Sequence, residues 1–258
     1  MGEPAAGTRA RVGVLLSGRG SNFLALHAAM ARGDVPAEIA LVASNVPEAA
    51  GLERARELGL PTWALDHRGL PRGAHEERLI SALREAGVEW VCLAGYLRLL
   101  SPGFVAAFPR RILNIHPSLL PAFPGLDAQR QALEYGARVT GCTVHLVDEG
   151  LDTGPIVVQR AVAVAAGDTE ESLSRRILAE EHRAYPEALR RLLAESWRIE
   201  GRRLAFDGEA RALGAVEDDD RAGRGVEPRG EPRVPRVDTG GGATYTTPPR
   251  PETDRGAS

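Results

Sequence analysis

Short runs rich in valine, leucine and isoleucine recur along this chain, and in its first half they alternate with segments of helical spacing. The runs are Arg11 to Leu16, Glu38 to Ala43, Pro61 to Leu65, Glu89 to Ala94, Arg111 to Ile115, Thr140 to Val147 and Ile156 to Val164. Between the first four lie Ser21 to Arg32, Glu48 to Leu58 and Gly73 to Ala86, where helix-like spacing takes over. A strand that is apolar on both faces has to be covered on both, and helices between parallel strands supply the cover. The alternation therefore predicts an α/β fold whose first half is Rossmann-like, built of βα units on a parallel sheet. Seven strands are expected, with a mixed edge in the strand-rich second half. Strand order does not follow from the pattern.

A long last helix is expected from about Thr169 to Ser196, with Asp168 as N-cap and Glu171 completing a capping box. Trp197 to Phe206 can add a short hairpin turning at Gly201. From Gly208 onward the composition changes: 51 residues hold 15 glycines and prolines and only five of leucine, isoleucine, valine, phenylalanine, methionine or tryptophan. So little apolar surface cannot offset the entropy of ordering, so residues 11–206 are expected to form the catalytic domain and 207–258 a disordered tail.

A formal charge of -3 argues against a general nucleic-acid surface. All 32 basic residues are arginine, which excludes a Schiff-base lysine and a phosphate-loop lysine. Cys92 and Cys142 stand alone, without the spacing of a zinc site or a disulfide framework. No run approaches the ~18 apolar residues of a membrane span, and the first ten residues lack a signal-peptide core, so a cytoplasmic protein with no membrane partner is expected.

Two places carry candidate chemistry. Ser17-Gly-Arg-Gly-Ser-Asn22 falls between the first strand and the first helix, where glycines close a tight turn and a helix N-terminus can cradle a phosphate. The dinucleotide fingerprint does not fit, because Phe23 takes its third glycine position and Ser44-Asn45 stand where a ribose-binding acid belongs. A bare capped turn without ligand is the alternative. Further on, Asn114 and His116 are two apart in an extended run, so they share one face while Ile115 turns to the interior. An amide beside an imidazole suits a reaction in which an oxyanion forms and a proton moves, as in acyl or formyl transfer. Pro117, Pro121 and Pro124 restrict the loop that follows, and Asp152 sits in the turn Gly150-Leu-Asp-Thr-Gly154. The structural alternatives are a core histidine and an Asx turn. His145, in an alternating strand, faces either a ligand or an edge. His27, His67, His75 and His182 have no metal spacing, so no metal site is expected, and Glu180 and Glu181 read as a solvated helix face.

Taken together, Leu16-Ser-Gly-Arg-Gly-Ser-Asn22, Leu93-Ala-Gly-Tyr-Leu-Arg-Leu-Leu100, Leu113-Asn-Ile-His-Pro-Ser-Leu-Leu-Pro-Ala-Phe-Pro-Gly125 and Val144-His-Leu-Val-Asp-Glu-Gly-Leu-Asp-Thr-Gly-Pro-Ile156 resemble phosphoribosylglycinamide formyltransferase, the folate-dependent enzyme of purine synthesis. The resemblance covers about residues 11 to 206 and implies a mostly parallel seven-stranded sheet with helices on both faces. It implies that Asn114, His116 and Asp152 are catalytic in formyl transfer from 10-formyltetrahydrofolate to glycinamide ribonucleotide. Asp152 would raise the His116 pKa, and Asn114 with protonated His116 would stabilise the oxyanion. By the same match Gly20, Ser21, Asn22 and Glu181 would bind the ribonucleotide. Arg72, Leu97, Arg98, Leu99, Leu100 and Asn114 would bind the folate. Ala122 replaces a lysine that family members often carry. The implied partners are the two small molecules alone, with no nucleic acid, around a monomer or weak homodimer. The rival readings are a methionyl-tRNA formyltransferase, a formyltetrahydrofolate hydrolase and a nucleotide-binding module without catalysis.

Overall fold

The computed structural model describes residues 9–207; the tail expected to be disordered, 207–258, lies outside the described residues except for Asp207. The elements run β1 (Ala10–Leu16), α1 (Ser21–Ala31), β2 (Ala37–Ser44), α2 (Ala50–Glu57), β3 (Thr62–Ala64), α3 (Arg72–Glu85), β4 (Trp90–Leu93), α4 (Pro102–Ala107), β5 (Ile112–His116), α5 (Ala128–Tyr135), β6 (Val139–Leu146), β7 (Ile156–Ala163), α6 (Glu170–Ala194), β8 (Trp197–Glu200) and β9 (Arg203–Phe206). Every expected strand forms. The hairpin forms too and joins the same sheet, which has nine strands among the described residues where seven were expected.

The order is β3-β2-β1-β4-β5-β6-β7-β9-β8, parallel from β3 through β5 and then antiparallel to β6 and β7. The chain winds outward from β1 to β3 and returns to place β4 on the other side of β1. Beyond the carboxyl ends of β1 and β4 the two connections diverge, which opens the crevice that α/β sheets use for ligands.

Strand residues alternate between two cores. Val12, Val14 and Leu16 join the larger, beneath α1, α2 and α6, while Leu15 joins the smaller, beneath α3 and α4. Helices thus cover both faces, as the apolar runs require. Gly13 leaves room for α3 against β1: a Cβ there would lie 2.6 Å from Leu83 Cδ2 and displace that side chain. The buried Tyr185 of α6 shares its hydroxyl hydrogen between the carbonyls of Leu93 and Leu113, 3.0 Å from each, and so ties α6 to the strands that carry the site.

Two details depart from expectation. The N-cap of α6 is Thr169, not Asp168: its hydroxyl accepts the Ser172 N–H at 3.1 Å while Ser172 Oγ accepts the Thr169 N–H at 3.0 Å. Asp168 instead accepts the Ala165 N–H and pairs with Arg176. The short helices α4 and α5 lie outside the segments expected to be helical. The first is started by the Ser101 cap and Pro102, the second bounded by left-handed residues Asp127 and Gly136.

Candidate active site

Leu113 and Ile115 of β5 point into the larger core, which sends Asn114 and His116 to the opposite face. β6 runs antiparallel beside them and pairs His145 with Asn114. The loop after β6 adds Asp152, held in a left-handed conformation that aspartate tolerates better than most residues. Its Oδ2 accepts the Gly125 N–H at 2.8 Å, which anchors the proline-rich loop after β5.

These residues form one connected set. Asn114 Nδ2 lies 3.1 Å from His145 Nε2, His116 Nδ1 lies 3.4 Å from Asp152 Oδ2, and His145 Nε2 lies 3.7 Å from Asp152 Oδ1. The proton positions follow from the partners. His145 Nδ1 is 3.0 Å from the Leu146 carbonyl, which can only accept, so the neutral ring carries its hydrogen there and Nε2 accepts from the Asn114 amide. His116 Nε2 likewise donates to the Phe123 carbonyl at 2.8 Å. Its Nδ1 then faces a carboxylate, and a proton added there would sit between two acceptors.

Burial opposes that proton. His116 is 4% exposed, and desolvation lowers its pKa; the Phe123 carbonyl and the Asp152 charge raise it, His145 lowers it, and the net shift is downward. Asp152 acts in the expected direction, but the expected net rise does not occur because desolvation is larger. For Asp152, burial pushes the carboxyl up, while the His145 imidazole, the Gly125 N–H and the His116 charge outweigh it and leave the pKa lowered.

The glycine loop stands at the carboxyl end of β1. Gly20, at φ +74°, turns the chain into α1 as an N-cap without a side-chain cap, so the backbone N–H groups at Ser21 and Asn22 open toward the crevice end of the helix. The Asn22 side chain is not turned outward: its Nδ2 donates to Glu181 Oε2 at 2.7 Å. Glu181 is therefore not on a solvated face. It is buried, and desolvation raises its pKa against the Asn22 hydrogen bond. Glu180 beside it is half-buried and paired with Arg160 and Arg183.

The loop after β4 carries the remaining candidates. Leu97 and Leu99 are exposed, and Arg98 is half-buried with a buried Nη1 that lacks a hydrogen-bond partner. Arg72 donates to the Leu99 carbonyl, so it touches the loop itself. Ser17 links the two loops: it accepts the Leu97 N–H at 2.9 Å and donates to Asn45 Oδ1 at 2.6 Å. Ser17 was named with the glycine loop, but its contacts with Leu97 and Asn45 and the contact of His145 with Asn114 were not foreseen, because each depends on a partner distant in the chain. Among the described residues no group of three His, Cys, Asp or Glu side chains could hold a metal ion, and no helix is long and apolar enough to cross a membrane.

The family model described as formyl transferase matches residues 10–189. The chain belongs to the formyl transferase family. It is 42% identical over 181 residues to the phosphoribosylglycinamide formyltransferase of Bacillus subtilis (strain 168), a match covering 70% of this chain and 93% of that one. It is 52% identical over 185 residues to the trifunctional purine biosynthetic protein adenosine-3 of Drosophila pseudoobscura pseudoobscura, covering 70% of this chain and only 14% of that longer protein. A crystal structure of glycinamide ribonucleotide transformylase 1 from Symbiobacterium toebii superposes with a TM-score of 0.76 at 53% identity, covering 78% of this chain and 95% of that one. Within this formyl transferase fold, the Asn114, His116, Asp152 set and the glycine loop both lie in the matched span.

Proposed function

We propose that this formyl transferase moves the formyl group of 10-formyltetrahydrofolate to the amine of glycinamide ribonucleotide, a step of purine synthesis. The observation that carries the reading is the His116–Asp152 contact at 3.4 Å with Asn114 held beside it by His145. Similarity over nearly the whole length of the Bacillus subtilis enzyme supports the choice of substrates.

The folate supplies an activated formyl group. The ribonucleotide amine attacks the formyl carbon, the carbonyl oxygen gains negative charge, and the bond to the folate nitrogen breaks as a proton moves from the incoming nitrogen to the leaving one. Asn114 uses one amide hydrogen on His145 and has the second for the oxyanion. His116 is mainly neutral at neutral pH, and its Nδ1, faced by Asp152, can take up and return the proton. The N-terminus of α1 with Gly20, Ser21 and Asn22 holds the phosphate, and Glu181 holds the amine-bearing end of the ribonucleotide. The loop Leu97 to Leu100 and the turn before Asp152 receive the folate.

The catalytic unit in this reading is residues 11–206. It acts on small molecules in the cytoplasm as a monomer or weak homodimer, with no nucleic acid or membrane involved; its two buried, free cysteines suit a reducing compartment. The test is release of deformylated folate from 10-formyltetrahydrofolate with and without glycinamide ribonucleotide. Release only with the ribonucleotide is expected. Release without it, together with formate, would make the protein a hydrolase, and no release at all would end the reading. Removing residues 208–258 should leave the rate within about twofold, since their composition offers little apolar surface to pack.

A further inference from the structure

The first turns of α3 grip the loop after β4 through a buried acid. Glu76 is 5% exposed. Its Oε1 accepts the Ser101 backbone N–H at 3.1 Å and its Oε2 accepts the Ser101 hydroxyl, so one carboxylate takes both donors of one residue. Ser101 Oγ in turn accepts the Phe104 N–H at 3.2 Å and caps α4. One helical turn before Glu76, Arg72 donates to the Leu99 carbonyl and places its Nε 3.7 Å from Glu76 Oε1. Two side chains on one helix face thus hold two points of the loop, and Ser17 holds a third at the Leu97 N–H.

What the loop presents explains why it is held. Tyr96 and Leu100 pack against the smaller core, while Leu97 and Leu99 are 71% and 56% exposed. A free loop with two exposed leucines would turn them inward; a loop pinned on both sides of Leu99 keeps them and the adjoining backbone groups available to a flat, partly apolar ring. We propose that Glu76 is a positioning residue for the formyl donor, holding Leu97 to Ser101 in the conformation that receives the folate ring. The inference rests on the donor site proposed above. Bonds to the carboxylate are charge-assisted, roughly twice as strong as neutral ones. A neutral amide at position 76 weakens them and removes the counter-charge of Arg72. The loop then has to be ordered by the ligand, and the cost falls on donor binding alone.

The test compares wild type, Glu76→Gln and Ser101→Ala by steady-state transfer with each substrate varied, together with calorimetric binding of tetrahydrofolate. In Glu76→Gln the KM for 10-formyltetrahydrofolate and the tetrahydrofolate Kd should rise about tenfold, with kcat and the ribonucleotide KM within about twofold of wild type. Ser101→Ala keeps the backbone bond and should raise the same two constants less. Donor constants left at wild-type values, or both KM values and kcat changing together, would overturn the inference. Should Glu76→Gln fail to fold, Ser101→Ala decides on the same split. A wild type that binds tetrahydrofolate without transferring formyl sinks the proposed reaction only; the binding arm then still decides the role of Glu76. A wild type that binds no tetrahydrofolate removes the donor site and the inference together.

Discussion

Asn114 and His145 stand opposite each other on β5 and β6, with the amide nitrogen of one 3.1 Å from Nε2 of the other. In the tautomer whose Nδ1 hydrogen meets the Leu146 carbonyl, His145 Nε2 accepts from the Asn114 amide. That fixes which end of the amide faces the strand and which hydrogen is left for a substrate. A carboxamide on its own could flip; this one is oriented by its cross-strand neighbour. His145→Leu should therefore lower kcat about tenfold or more by freeing the amide, while ribonucleotide affinity is kept, and calorimetry alongside single-turnover rates checks both.

His116→Asn removes the group proposed to take up and return the transferred proton and keeps a polar side chain of similar reach. Turnover should fall by about 10²–10⁴, the usual share of a general acid or base, with ribonucleotide binding retained. Turnover at the wild-type level would mean that His116 only braces the Phe123 carbonyl.

Asp152→Asn has a sign that can be worked out. The Asp152 charge raises the His116 pKa against the larger effect of burial, so removing the charge lets that pKa fall further. The limb of the pH profile that reports His116 should move to lower pH, with a reduced plateau. A limb that stays in place would assign it to another group.

Folding stability should fall on the acid side for a related reason. His75, His116 and His182 all have pKa values lowered by burial, so the unfolded chain binds more protons than the folded one between the ordinary histidine value and the depressed ones. Their contribution is complete above about pH 6.5 and is lost as pH falls through that window. Urea midpoints at pH 7.5 and 5.5 test this, and His75→Gln should flatten the difference.

Gly20→Ala and Gly18→Ala make a matched pair. Gly20 is left-handed, and an added Cβ would lie 3.0 Å from Gly51 Cα and 3.3 Å from Leu16, whereas a Cβ on Gly18 meets nothing within 4 Å. Gly20→Ala should cost about 1–2 kcal/mol of stability from the backbone conformation alone and raise the ribonucleotide KM, while Gly18→Ala stays near neutral in both. Thermal unfolding with steady-state kinetics separates the two.

Much of this was legible in the chain because it depends on local pattern. The run Arg111 to Ile115 reads as a strand that turns Asn114 and His116 to one face, and Leu113 and Ile115 are indeed in the larger core. Asp168 misled for the same reason that makes capping legible: both it and Thr169 are good cap residues, and the choice went to the one whose hydroxyl closes the box with Ser172. Glu181 reads as surface charge beside Glu180, and only its contact with Asn22, from the other end of the chain, takes it inside.

The sequence by itself determined the α/β order, the glycine turn into α1 and the presence of an amide, an imidazole and a carboxylate in short, rigid segments, because side-chain periodicity and turn chemistry act over a few residues. Tertiary structure alone decided that β6 lies reversed beside β5, that Asp152 reaches both histidines, and that Glu76 holds Ser101. It also decided the sign at His116. Desolvation there sums over neighbours brought by several elements, and strand pairing joins residues far apart in the chain, so neither quantity is encoded in any single stretch.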